Sequence, residues 1–175
     1  MTSEARQMVI NMGEHYDYDV SYMLYLLEHS EHGFKALNQI TDFHANLEHI
    51  PTDAAFTAKL MGLKQEDCGP CLQLTIHMAS EANVSANQIV AVLKDNTEAM
   101  NEDVLVAYQF AASALTQSPA AEQHRQAVLD RWSDAGLIDL TLALHSVRLY
   151  PQLKRTLGFD SICHQLQVSD QILPH

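Results

Sequence analysis

Basic residues are scarce in this chain of 175 residues, in which ten lysines and arginines stand against twenty-two aspartates and glutamates. Proteins that bind phosphate backbones or anionic membrane surfaces do so with clustered Lys and Arg. The largest basic group here, Lys154 and Arg155 with Arg148, is small, and the formal net charge is −12. The composition therefore predicts neither a nucleic-acid partner nor a membrane partner.

Long apolar runs and a signal sequence are also missing. No apolar run approaches the roughly 20 residues that are needed to cross a bilayer. Residues 1–6 lack a basic segment followed by an apolar stretch, so no signal peptide is predicted. With only three cysteines, we expect a reducing, cytoplasmic location rather than a fold held by disulfides.

Alternation with a period of two is absent over any useful length, and no Gly-rich loop, linker or repeat stands out. Apolar residues recur instead at the spacing of helices. We therefore predict an all-α fold in one domain over residues 1–175. The predicted helices cover residues 4–12, 20–29, 34–49, 53–65, 68–81, 86–94, 101–115, 118 to 132 or 135, and 137–157. No element is predicted from residue 162 onward.

Several residues are expected to set the ends of these helices. Gly13 and Gly136 are predicted to stop the helices that precede them. Ser85 and Gln88 have the spacing of a capping box at a helix N-terminus. Pro151 is predicted to bend or interrupt the last helix.

The chain is organised around residues 66–71 (EDCGPC), which contain its only Cys-x-x-Cys. Asp67 is the predicted N-cap of the helix that follows, because its carboxylate can accept from free backbone N–H groups. Cys68 then lies at the helix N-terminus, where backbone dipoles favour a thiolate. Cys71 lies one turn further in and is expected to be the more buried thiol. This arrangement predicts that Cys68 attacks a substrate and that Cys71 closes the disulfide.

Other interpretations of the two thiols stay open. They can form a structural dithiol, or half of a zinc site whose other ligands would be Cys163 and His164. Cys163 alone fits a small buried side chain better than a third redox partner. The same tetrapeptide serves the thioredoxin family, but there it follows a strand, whereas a helix precedes it here. We predict no resident metal and no cofactor.

Two segments of the chain, residues 66–74 and 148–158, are similar to a branch of the AhpD-like (carboxymuconolactone decarboxylase) superfamily. The resemblance covers about residues 51–158. It implies an AhpD-like helical bundle and a homo-oligomer. In the thiol peroxidases of the superfamily it also implies a Cys pair that is served by a Glu and a His, which relay protons.

The resemblance carries over to the thiols and not to the relay. Cys68 and Cys71 match the Cys pair, but Phe56 stands where the Glu would fall and Thr75 where the His would fall.

Three other side chains are therefore candidates for handling the proton. Glu66 and Asp67 are the nearest carboxylates in the sequence. His77 is a candidate base, although it follows Cys71 by six residues and so lies about 120° away around a helix.

Two functions follow from these observations. The first is a thiol-dependent redox enzyme, either alkylhydroperoxidase-like or a disulfide reductase. It would act on a small peroxide or disulfide, and a thiol reductant protein or a small thiol would reduce it again. The second is a non-catalytic helical oligomer with a binding or assembly role, which predicts a buried and slowly reacting Cys68.

Overall fold

Helices account for most of the chain in the computed structural model, which describes residues 3–159 and 165–174. The predicted all-α fold is confirmed, with one short hairpin near the C-terminal end of the chain. The helices are α1 (Ser3–Tyr16), α2 (Ser21–His29), α3 (Glu31–Ala45), α4 (Thr52–Gln65), α5 (Gly69–Glu81), α6 (Ala86–Leu93), α7 (Glu102–Leu115), α8 (Ala121–Ser146) and α9 (Leu149–Leu157), and the strands are β1 (Gln165–Val168) and β2 (Gln171–Pro174).

Helix α4 lies at the centre of the main core and packs against α5, α6, α7 and α8. Its inward positions carry mostly small or aliphatic side chains, so neighbouring helices approach closely on several sides. At Gly62 the approach is closest, because an added Cβ would stand 2.3 Å from the carbonyl oxygen of Leu144 on α8. This contact requires glycine and fixes α8 against α4.

The first three helices have an apolar cluster of their own, in which Tyr22, Phe34 and Leu37 are buried. This cluster packs against Leu74 of α5 and against Tyr150 at the start of α9. The N-terminal helices therefore form a layer over one face of α5 and the first turn of α9.

The glycines that were predicted to stop helices lie inside them. Gly13 is part of α1, where an added Cβ would lie 3.0 Å from the side chain of Val20. Gly136 is part of α8, and the break occurs at Ser133, whose backbone is non-helical at φ 62° and ψ −174°. The helix end predicted at Gly13 was wrong. The break at Ser133 agrees with the predicted helix end at about Trp132, but Gly136 is not the residue that makes it. Both glycines serve close packing rather than chain reversal. The helix predicted over residues 137–157 is interrupted at residues 147–148, and Pro151 lies in the first turn of α9, which follows this interruption.

The capping box that was predicted at the start of α6 does not form. Ser85 is the N-cap residue, but its side chain makes no capping hydrogen bond. The Gln88 side chain instead accepts from the backbone N–H of Asn101 at 2.8 Å. Asn101 in turn caps α7 by accepting from the backbone N–H of Val104 at 2.9 Å, so the predicted start of that helix is confirmed.

The hairpin pairs β1 with β2 in antiparallel register. Leu166, Val168 and Leu173 are buried against the main core. The side-chain amide of Gln73 on α5 holds β1 in the manner of a neighbouring strand: it donates to the Gln167 carbonyl at 3.0 Å and accepts from its N–H at 2.7 Å. Among the helices of the described residues, none has the length and apolar character that a membrane crossing requires.

Candidate active site

A sharp turn between α4 and α5 places the Cys-x-x-Cys motif. Asp67 adopts a left-handed conformation, with φ 53°, and this reverses the chain after α4. In that conformation Asp67 is not the N-cap, and its prediction as the cap was wrong. Cys68 takes this position, and its Sγ accepts from the backbone N–H of Cys71 at 3.4 Å.

The two cysteines are joined in a disulfide across the first turn of α5, with their Cα atoms 5.3 Å apart. Cys68 is 2% exposed and Cys71 is 3% exposed. The expectation that Cys71 would be clearly more buried than Cys68 was therefore wrong. Both cysteines are buried in the main core.

An apolar cavity of about 80 Å³ lies between α5, α9 and the N-terminal layer. Cys71 lines this cavity, as does Thr75 one turn further along α5, and Cys68 is not among the lining residues. The cavity carries no charged side chain. Its other walls include three methionines and three tyrosines, namely Met12, Met23, Met78, Tyr18, Tyr22 and Tyr150.

The hydroxyl of Tyr18 contacts the sulfur that faces the cavity, with 3.7 Å between Tyr18 Oη and Cys71 Sγ. A sulfur in a disulfide carries no proton, so the tyrosine is the donor. Burial raises the pKa of Tyr18 to about 12. Nothing in the sequence connects Tyr18 with a cysteine 53 positions later.

Glu66 is buried and turned towards α9. Its carboxylate accepts from Arg148 Nε at 2.7 Å, from Arg155 Nη2 at 2.6 Å and from the Gln152 amide at 3.1 Å. Burial acts to raise the pKa of Glu66, but the hydrogen bonds from these three side chains outweigh it and hold the pKa below its usual value. The arrangement ties α9 to the turn that carries Cys68.

The other candidates for handling a proton lie elsewhere. Asp67 is exposed, on the far side of the turn from the cavity that Cys71 lines. His77 is half-buried, with its Nε2 2.9 Å from the Gln73 amide, and it faces a surface depression beside β1. Phe56 lies on α4, with the Lys59 ammonium 4.6 Å from the centre of its ring. The fold therefore brings Cys68, Cys71 and Thr75 together and leaves the predicted acid–base residues outside the cavity.

Metal ligation draws no support from the side chains that the structure describes. Within residues 3–159 and 165–174, no group of three or more His, Cys, Asp or Glu side chains is arranged to hold an ion. Cys163 and His164, the candidate zinc ligands of the sequence, lie outside the described residues.

Comparisons of the chain with models of protein families, with curated proteins and with solved structures find no significant match. The resemblance to the AhpD-like superfamily therefore stays a prediction that rests on residues 66–74 and 148–158.

Proposed function

We propose that this protein is a thiol-dependent redox enzyme whose Cys68–Cys71 pair cycles between dithiol and disulfide. One observation carries the proposal: the two sulfurs meet across the first turn of a helix while one of them, Cys71, lines a cavity. A purely structural disulfide between residues three apart closes a very short loop and so constrains the unfolded chain little. A redox role therefore accounts for such a pair better than a stabilising role does.

The proposal assigns the first step to Cys71 and reverses the roles that the sequence suggested. A small molecule in the cavity meets the Cys71 sulfur and not that of Cys68. Cys68 sits at the N-terminus of α5, with the backbone N–H of Cys71 directed at its sulfur. This position favours a Cys68 thiolate as the resolving nucleophile in one direction and as the leaving group in the other.

The oxidative reaction balances as follows. The Cys71 thiolate attacks the terminal oxygen of a hydroperoxide, the S–O bond forms as the O–O bond breaks, and the alkoxide takes a proton from solvent and leaves as the alcohol, which gives a Cys71 sulfenic acid. The Cys68 thiolate then attacks the Cys71 sulfur and expels hydroxide, which takes a second proton from solvent and leaves as water. The two thiols lose two electrons and the peroxide gains them. A small thiol or a thiol reductant protein returns two electrons by exchange with the disulfide.

The size and the apolar walls of the cavity favour a small, uncharged substrate. Its volume of about 80 Å³ holds only a few water-sized groups. Its walls are mostly apolar side chains, so a charged substrate would lose its hydration without gaining a partner. A small peroxide or a small disulfide meets both limits. The AhpD-like membership, the homo-oligomer and the cytoplasmic location are further parts of the proposal and rest on the sequence.

Peroxide oxidation of the reduced protein tests this function. Cys163→Ser serves as the background, so that only Cys68 and Cys71 can react. Peroxide treatment followed by thiol alkylation and mass spectrometry is expected to show an intramolecular disulfide and no free thiol. Cys68→Ser in this background should leave a trappable sulfenic acid on Cys71, whereas Cys71→Ser should react slowly. Equal oxidation rates in these two variants would contradict the assigned roles, and an unreactive background protein would contradict the function.

A second candidate is the non-catalytic helical oligomer, and two observations favour it. The low exposure of Cys68, 2%, matches the slowly reacting thiol that this alternative predicts. Ile138 and Leu142, four residues apart on one face of α8, are 57% and 39% exposed and offer an apolar assembly surface. This candidate predicts no peroxide turnover with any reductant and the same slow thiol labelling with and without peroxide.

A further inference from the structure

We propose that Tyr18 donates a hydrogen bond to the Cys71 sulfur and stabilises its thiolate during the redox cycle. The inference rests on the proposed function and adds a catalytic residue from outside the region of the Cys-x-x-Cys motif. No acidic side chain and no histidine lines the cavity that Cys71 faces. The thiolate therefore needs a donor of another kind, and a hydroxyl lies beside it.

The geometry fits a hydrogen bond to sulfur. Tyr18 Oη lies 3.7 Å from Cys71 Sγ, and both residues are buried, at 7% and 3% exposed. Water therefore competes little for either group, and a buried anion without a donor is costly. When reduction is complete and Cys71 is released as a thiolate, its charge meets a hydroxyl already in place.

Tyr18 remains a neutral donor at physiological pH, because burial raises its pKa to about 12. A hydrogen bond to the charged form of a group favours that form, so the neutral phenol lowers the pKa of a nearby thiol. The phenol keeps its proton throughout. The thiol proton leaves to solvent before attack, and no proton passes from Tyr18 to the alcohol that the peroxide releases.

Neighbouring side chains hold the Tyr18 ring in this position. The ring of Tyr22 packs edge-on against it at 6.5 Å between centroids. The ammonium of Lys154, on α9, lies 5.0 Å from the centre of the Tyr18 ring. The Asp19 carboxylate and the Tyr150 hydroxyl also act on Tyr18 electrostatically. Glu14 and Asp17 line a surface depression that Tyr18 and Asp19 also reach.

Tyr150 supplies a matched control for the hydroxyl. It lines the same cavity as Cys71, but its hydroxyl is bonded to Thr41 Oγ1 at 2.7 Å. Tyr150→Phe therefore removes from the same cavity a buried hydroxyl that bonds to Thr41. Tyr18→Phe removes the contact to sulfur and keeps the ring under Lys154.

The test uses the full chain with Cys68→Ser and Cys163→Ser, so that Cys71 is the only thiol. The rate of alkylation by iodoacetamide is measured against pH. Tyr18→Phe is expected to raise the midpoint by about one pH unit, which is about tenfold less thiolate below the midpoint. Tyr150→Phe should leave the midpoint in place. An unchanged midpoint in Tyr18→Phe, or an equal shift in both variants, overturns the proposal.

A second measurement keeps the test decisive if Tyr18→Phe does not fold. In the protein that retains Tyr18, the ¹³Cζ resonance of Tyr18 should shift at the pH at which Cys71 ionises. A resonance that is insensitive to Cys71 overturns the proposal.

Peroxide-driven disulfide formation is read separately in the Cys163→Ser protein. If peroxide forms the disulfide but Tyr18→Phe leaves the midpoint of Cys71 alkylation unchanged, only the proposed role of Tyr18 is contradicted. If the midpoint shifts but no disulfide forms, the hydrogen bond is supported and the proposed function is contradicted.

Discussion

Replacing Glu66 with glutamine separates an anchoring role for this carboxylate from a role in proton transfer. Glutamine keeps the size of the side chain and one carbonyl acceptor, but it removes the charge that Arg148 and Arg155 share. A hydrogen bond to a charged group contributes about 1.5–3 kcal/mol to the free energy of unfolding. The two arginine side chains are 27% and 40% exposed, so solvent screens these contributions towards the lower end.

We therefore expect Glu66→Gln to lower the free energy of unfolding by about 2–3 kcal/mol, counting both arginines. For a domain of this size, such a loss corresponds to a melting temperature about 5–10 °C lower. Urea denaturation followed by circular dichroism gives the free energy directly. Glu122→Gln is the control, because Glu122 pairs with Arg125 on an exposed helix surface, and we expect no measurable change there.

The pH dependence has a definite sign. Because the pKa of Glu66 is lowered in the folded protein, its contribution is present in full above its ordinary value of 4.5 and is lost as the pH falls through the lower, folded value. The difference in stability between the natural protein and Glu66→Gln should therefore shrink in acid. A variant as stable as the natural protein that has lost peroxide oxidation would refute this reasoning and return Glu66 to the acid–base role.

Two further substitutions test the packing and the electrostatics of α4. Gly62→Ala should lower the free energy of unfolding by at least about 1–3 kcal/mol, because the added methyl group overpacks against Leu144. The loss should exceed that of Gly158→Ala, where φ is +79° but nothing lies within 4 Å of an added Cβ. Equal losses in urea denaturation would contradict the close contact of α4 with α8. Burial lowers the pKa of Lys59 from 10.5 to about 8, so the unfolded chain binds more protons between these values and stability should rise with pH across that interval. Lys59→Met should abolish the rise, and the same rise in both proteins would show that it comes from another group.

The helices could be predicted from the sequence wherever apolar residues recur at helical spacing. The start of α7 at Asn101 is an example, since local propensity and capping act together there. Gly13 and Gly136 were misassigned because tertiary contacts overrode a local rule. Each glycine sits where another backbone or side chain comes close to the helix, and such an approach is invisible in sequence.

Of the candidate site, only the pairing of Cys68 with Cys71 could be predicted from the sequence. The spacing of Cys68 and Cys71 predicts that their sulfurs can meet. Which sulfur faces a cavity depends on how the N-terminal layer packs over α5, because Tyr18 and Tyr22 come from that layer. The same is true of Glu66, whose partners lie more than 80 residues later in the chain.

The most direct test of the account is a redox cycle in the Cys163→Ser protein, followed by counting free thiols. One equivalent of a small hydroperoxide should remove both thiols of the reduced protein as a Cys68–Cys71 disulfide, and an excess of a small thiol should then restore both. If the thiols persist in the presence of peroxide while the protein stays folded, the pair is structural and the redox account is contradicted.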